Sequence, residues 1–122
     1  MTGNKRPTII ITMGDPAGIG PEIAVKALSN PAIYSLCRPL IVGDFNLLQK
    51  TAKHLKLNQK FRRLDSHRNV KGELGIIDVV DLKNVDMKTL KIGTISAEAG
   101  RASLDYVEKA VAYALRGDAQ AM

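Results

Sequence analysis

Apolar and polar positions along the chain fall into short unbroken runs separated by periodic stretches. Thr8-Ile9-Ile10-Ile11-Thr12-Met13 is a nearly continuous β-branched run, the pattern of a parallel strand buried on both faces. Gly14–Gly20 follows with three glycines and a proline, and a helix is predicted to start at Pro21, where the missing N–H costs nothing. Ile23, Ala24, Ala27 and Leu28 make its expected buried arc, and Asn30-Pro31 ends it. Pro39–Gly43 reads as a second buried strand. Asp44 then caps a helix carrying Phe45, Leu48, Ala52 and Leu55 on one stripe. Lys60–Leu64 is a third strand, more polar and nearer an edge, and Leu74–Val80 is a fourth. Ser96 caps a final long helix with Glu98 in its first turn and Gly117 at C′. Leu104, Val107, Val111, Ala114 and Leu115 form the expected buried stripe of that helix, with Asp105–Lys109 as an exposed i,i+4 pair.

Strands alternating with helices predict an α/β fold with helices on both faces of a largely parallel sheet, a three-layer α/β/α arrangement. After Gly117 a further strand is due, and only Asp118–Met122 follow. The sheet is therefore expected to be incomplete in this chain, as a single truncated α/β unit over residues 1–122.

Composition narrows the function classes. The 122 residues are 45% apolar and 25% charged, ordinary usage for one globular domain. The lone Cys37 has no Cys or His neighbour at a zinc-ligand spacing, which removes a disulfide framework and a zinc finger. No apolar run approaches about 18 residues, so no membrane span is expected. The stretch Ile9–Met13 is too short for a signal-peptide core, and a cytoplasmic location is the expectation.

The formal net charge is +6, and its position matters more than its size. Residues 50–71 hold Lys50, Lys53, Lys56, Lys60, Arg62, Arg63, Arg68 and Lys71 against Asp65 alone. The alternative reading drawn from this stretch is a small basic module that binds phosphorylated ligands or nucleic acid. The lysines lie away from the apolar stripe of their helix or at its flank, and the chain has three Tyr, two Phe and no Trp on which bases could stack. A solvated helix face followed by a charged strand is the preferred account, and a nucleic-acid partner is not expected. His54 and His67 are expected to have surface roles.

The turn after the first strand carries the chemistry. A glycine-rich turn between a buried strand and a helix start sits at the carboxyl edge of the sheet, where α/β proteins place ligands. Its glycines let the backbone approach a ligand, and the helix start offers N–H groups to an anion. Gly14, Asp15, Pro16, Gly18 and Gly20 are the candidate residues bordering a cofactor or substrate cleft. Asp15 has a second possible role, capping the turn's own N–H groups. The spacing is neither of the two standard nucleotide loops.

The string Ile11-Thr12-Met13-Gly14-Asp15-Pro16-Ala17-Gly18-Ile19-Gly20-Pro21-Glu22-Ile23 closely resembles the opening motif of the 4-hydroxythreonine-4-phosphate dehydrogenase family. Gly93-Thr94-Ile95-Ser96, Ala99-Gly100-Arg101-Ala102 and Ala114-Leu115-Arg116-Gly117-Asp118 resemble the family's segment before its threonine-proline-lysine active-site strand. The first string is also similar to the Gly-Asp-Gly-Ile-Gly-Pro-Glu string of isocitrate and isopropylmalate dehydrogenases, with Pro16-Ala17 inserted. The resemblance implies an isocitrate/isopropylmalate dehydrogenase-like fold. It also implies oxidation of a phosphorylated hydroxy acid by NAD or NADP with a divalent metal such as Zn, Mg or Co, followed by decarboxylation. The implied substrate is 4-hydroxythreonine 4-phosphate, in pyridoxal phosphate biosynthesis, or a related phosphorylated threonate or erythronate. A cytoplasmic homodimer with composite active sites is implied for the full-length enzyme. Family members are more than twice as long, and their metal-binding histidines match neither His54 nor His67, so no catalytic or metal residue carries over. The isolated chain is expected to be inactive.

Overall fold

A computed structural model describes residues 6–122. Its elements in chain order are β1 (Thr8–Thr12), α1 (Gly20–Ala27), α2 (Pro31–Leu36), β2 (Arg38–Gly43), α3 (Phe45–His54), β3 (Lys60–Leu64), β4 (Ile76–Asp81) and α4 (Ala97–Leu115). A short 3-10 turn at His67–Asn69 lies in the β3–β4 connection.

The four strands form one parallel sheet in the order β1-β2-β4-β3. The connections carrying α1 and α3 step across it in one direction, and those carrying residues 65–75 and α4 step back. Right-handed crossovers therefore put α1 and α3 on one face and α4 with the β3–β4 connection on the other, giving three layers. Helix α1 packs on α3, and α4 lies on β1 and β2. The inner strands β2 and β4 are buried almost throughout, whereas β3 at the edge is polar and partly exposed. At the other end, β1 buries Thr8 and Ile10 but leaves Ile9 and Ile11 only partly covered, short of the two-sided burial its sequence suggests.

After Gly117 the chain makes an isolated bridge to β1 and no strand of its own. The N–H of Gln120 donates to the carbonyl of Thr8 (2.9 Å), and the N–H of Ile10 donates to that of Ala121 (2.9 Å). Ala121 thus forms a parallel bridge with Ile9 on the outer edge of β1.

Local signals account for most element ends. Asp44 accepts from the N–H of Leu47 (3.0 Å) and Ser96 from that of Ala99 (3.1 Å), so both act as N-caps. Helix α1 ends at Ala27 with Leu28 as its C-cap, short of Asn30-Pro31, and Asn30 instead starts a second helix: its side chain accepts from Ala32 N–H (3.0 Å), and Pro31 opens α2, an element the sequence reading did not contain. Gly117 takes φ +79°, and Asp118 N–H returns to the carbonyl of Tyr113 (2.9 Å) to close α4.

Two buried faces differ from the sequence expectation. On α1, Pro21, Ala24, Val25 and Leu28 are buried, while Ile23 is 54% exposed and Ala27 is exposed. The buried arc is thus rotated from Ile23 onto Val25, at i, i+3, i+4, i+7 spacing. On α4 the face against the sheet is Ala99, Ala102, Tyr106, Ala110 and Tyr113. The expected stripe of Leu104, Val107, Val111 and Leu115 points to solvent. Tyrosine and alanine interdigitate with the crowded sheet surface, and the larger aliphatic side chains face away. Asp105 pairs with Arg101 (3.3 Å) rather than with Lys109, whose ammonium sits 5.3 Å over the Tyr113 ring.

Candidate functional site at the carboxyl edge of the sheet

The turn from Gly14 to Gly20 leaves the buried end of β1, where Met13 donates its N–H to the carbonyl of Val42 (3.0 Å) and is fully covered. Gly14 takes φ +79°, a left-handed conformation that favours glycine. Asp15 then fills the capping role: its Oδ1 accepts from the N–H of Ala17 (2.8 Å), and its carbonyl accepts from that of Gly18 (2.9 Å). Pro16 and Ala17 are buried under this double turn, and Gly18 and Ile19 are exposed.

Gly20 is required sterically. A Cβ there would stand 2.1 Å from the Met13 carbonyl oxygen, so the helix start presses on the strand end with only hydrogen between them. Helix α1 begins at Gly20 with Ile19 at its N-cap and no side-chain cap. Pro21 has no N–H to offer, and the remaining N–H groups of this first turn, at the positive end of the helix dipole, have no side-chain cap.

The loop between β4 and α4 closes over this turn. The N–H of Gly93 donates to the carbonyl of Ala17 (2.7 Å). Asp44 adds a second tie, since its Oδ2 accepts from Val85 N–H (3.3 Å) while Oδ1 caps α3. Tyr106 adds a third from below, donating its hydroxyl to Asn84 Oδ1 (2.7 Å). Burial pushes the Tyr106 phenol well above its usual range, reinforced by the carboxylates of Asp44, Asp81, Asp105 and Asp15. It stays protonated and serves as a donor.

Two clefts flank the turn, sharing Pro16 and Leu90. One, of about 500 Å³, lies between α1 and α3 and is bordered by Gly18, Pro21, Leu47, Lys50, Thr51 and His54. The other, of about 330 Å³, lies at the start of α4 and is bordered by Asn84, Asp86, Lys91, Ser96 and Glu98. The first is the better seat for an anion. It combines Lys50 with the uncapped start of α1, and its one acid, Glu22, is engaged by Lys26 (3.0 Å).

The remaining sequence candidates fall elsewhere. Gly14, Asp15, Pro16, Gly18 and Gly20 form one continuous turn, but only Pro16 and Gly18 line a cleft wall. His54 is exposed at the rim of the larger cleft. His67 departs from its expected surface role. The β3–β4 connection passes against the end of α4, so its Nε2 lies 3.3 Å from Asp118 and its ring centroid 5.1 Å from that of Tyr113. The basic stretch is also less uniform than a solvated face. Arg62 binds buried Asp78 (2.7 Å), and Arg63 binds Asp81 (2.9 Å) while lying over the Phe45 ring. The lysines of α3, the arginines of β3 and those of the following connection thus belong to three elements.

The described residues supply no group of three or more His, Cys, Asp or Glu side chains suited to a metal ion. A divalent metal does not fit the residues present, and no step is derived through it. The turn does fit the phosphate of a nucleotide or substrate, because it offers a helix start with no side-chain cap, no side chain at Gly18, and Lys50 on the same cleft. Among the described residues no helix is long and apolar enough to cross a membrane.

A glycine-rich turn at the carboxyl edge of a parallel, three-layered sheet defines an α/β domain of the ligand-binding, doubly wound class. The family model described as pyridoxal phosphate biosynthetic protein PdxA matches residues 35–122, and the chain belongs to that family. It is 43% identical over 119 residues to a protein of Symbiobacterium thermophilum that carries the name D-threonate 4-phosphate dehydrogenase, covering 98% of this chain and 36% of the relative. It is similar to the crystal structure of a 4-hydroxythreonine-4-phosphate dehydrogenase from Burkholderia phymatum, with TM-score 0.90 and 38% identity, over 95% of this chain and 35% of that one. A Salmonella typhimurium protein described in the same terms gives TM-score 0.83 and 35% identity, over 94% of this chain and 36% of that one. The chain therefore spans little more than a third of the proteins it matches.

Proposed function

We propose that this chain is the amino-terminal α/β unit of a dehydrogenase acting on a four-carbon hydroxy acid phosphorylated at its terminal carbon. The observation that carries this reading is the 43% identity to the Symbiobacterium protein across 98% of the chain. That relative's name favours D-threonate 4-phosphate, and the names of the solved structures favour 4-hydroxythreonine 4-phosphate. Both compounds carry a secondary alcohol β to a carboxylate, so oxidation of that alcohol yields a β-keto acid that loses carbon dioxide readily. For the second substrate this chemistry belongs to pyridoxal phosphate biosynthesis.

A bound NAD or NADP would supply the acceptor for the hydride leaving the alcohol carbon. The residues of this chain position and neutralise. Gly18 lets a phosphate-bearing ligand reach the backbone, the N–H groups at the start of α1 hold its anionic oxygens, and Lys50 adds a counter-charge. Asp15 shapes the turn through its bond to Ala17 rather than facing the ligand. A divalent metal held by residues of the longer polypeptide, a homodimeric assembly and a cytoplasmic location complete the reading, and the unit alone has no turnover.

Gly18 provides the test. A Cβ there would lie 3.4 Å from the Asp15 carbonyl oxygen, so the fold tolerates a side chain that the cleft does not. With the chain joined to the remainder of the Symbiobacterium relative, Gly18→Ala is expected to raise KM for the dinucleotide or the phosphorylated acid at least about threefold with the unfolding midpoint unchanged. Unchanged KM values for both ligands would remove the turn from the site.

A further inference from the structure

Helix α4 is apolar on two sides. Ala99, Ala102, Tyr106, Ala110 and Tyr113 are buried against the sheet. Leu104, Val107, Val111 and Leu115 are 47%, 38%, 37% and 83% exposed. At about 100° per residue the second set is centred about 145° from the first, offset to one side of the point opposite the sheet. Ala97 and Gly100 continue this outer stripe without bulk, and Glu108 is the charge nearest its middle. The other charges of the helix, including Arg101, Asp105 and Lys109, lie toward one flank.

A surface helix of a finished domain is polar on its outer side, and a helix apolar on both sides is packed on both. Val107, Val111 and Leu115 form an i±4 ridge, and the small residues at 97 and 100 permit close approach, the pattern by which one helix receives another. Other elements of the family's polypeptide are available to cover it, since this chain accounts for only 36% of the Symbiobacterium relative. Residues 120–121 pair with the outer edge of β1, one of the two strands on which α4 lies. A second copy is a poorer occupant. A two-fold contact across the stripe would bring the Glu108 that borders it from both copies to one seam, where the like charges repel.

We infer that the outer face of α4, centred on Val107 and Val111, is the docking surface for an amphipathic helix supplied by the part of the family's polypeptide beyond the matched stretch. This contact locks that part onto the α/β unit. The inference rests on family membership and packing, and it stands whether or not Gly14–Gly20 binds a ligand.

Thiol protection reads the contact directly. Val111→Cys is introduced in the 122-residue chain and in the same chain joined to the remainder of the Symbiobacterium relative, and labelling at that position is timed with a maleimide. Labelling is expected to be slower in the joined polypeptide by at least about tenfold, reflecting loss of access to the thiol. The Symbiobacterium protein with cysteine at the aligned position gives the same reading in a natural full-length chain. Equal rates in long and short chains would overturn the inference. So would sedimentation of the 122-residue chain as a dimer that Val107→Glu dissociates, which would assign the face to a second copy.

Discussion

Gly20 and Lys56 mark opposite cases of backbone constraint. Gly20 has no room for a methyl group against the Met13 carbonyl, so Gly20→Ala must push α1 away from the end of β1. We expect a loss of about 2–3 kcal/mol, the upper range for overpacking a tight contact, measured by urea denaturation. Lys56 sits at φ 59° as the C′ residue of α3, with Leu57 N–H returning to the Ala52 carbonyl (3.0 Å). A side chain in that region is disfavoured, and Lys56→Gly is expected to stabilise the fold by about 0.5–1 kcal/mol in the same measurement. The position of the candidate turn was legible in the sequence, because its glycines and proline lie within seven consecutive residues. Its lid was not. The hydrogen bond from Gly93 to Ala17 spans most of the chain and leaves no local pattern.

Among the elements, those with local signals were readable. Strand β3 matches its expected bounds, and the caps at Asp44, Ser96 and Gly117 lie where short side chains or a left-handed glycine require them. Ser96→Ala is expected to cost about 1 kcal/mol through loss of the cap on Ala99, with Ser96→Asp restoring most of it. Which face of a helix turns inward was less readable. On α4 two apolar arcs compete, and the larger aliphatic residues suggested the wrong one. Periodicity reports that a face is apolar but not which neighbour covers it. On α1, Ile23 and Val25 were equally apolar claimants, and only the position of the sheet decides between them.

At the scale of the whole molecule, the buried phenols set the alkaline limit. Burial pushes Tyr34 up to about 12, with Asp78 and Cys37 adding to the shift, and Tyr106 is raised further. In the unfolded chain both ionise near 10. Below about pH 10 each phenol is protonated in both states and its contribution to stability is intact. Above that, the unfolded chain releases protons that the folded chain retains, so stability falls as pH rises through about 12. Tyr34→Phe is expected to flatten this decline, as read from urea midpoints across the alkaline range. Ala121 bridges the outer edge of β1 and one apolar face of α4 is turned outward, in a chain that spans about a third of its relatives.

The most direct measurement is nicotinamide reduction with D-threonate 4-phosphate, NAD and a divalent metal, compared between the isolated chain and the chain joined to the remainder of the Symbiobacterium relative. The joined polypeptide is expected to reduce the cofactor and the isolated unit to give no turnover. Turnover by the 122 residues alone, or a folded joined polypeptide inert toward both this substrate and 4-hydroxythreonine 4-phosphate, would contradict the proposed function.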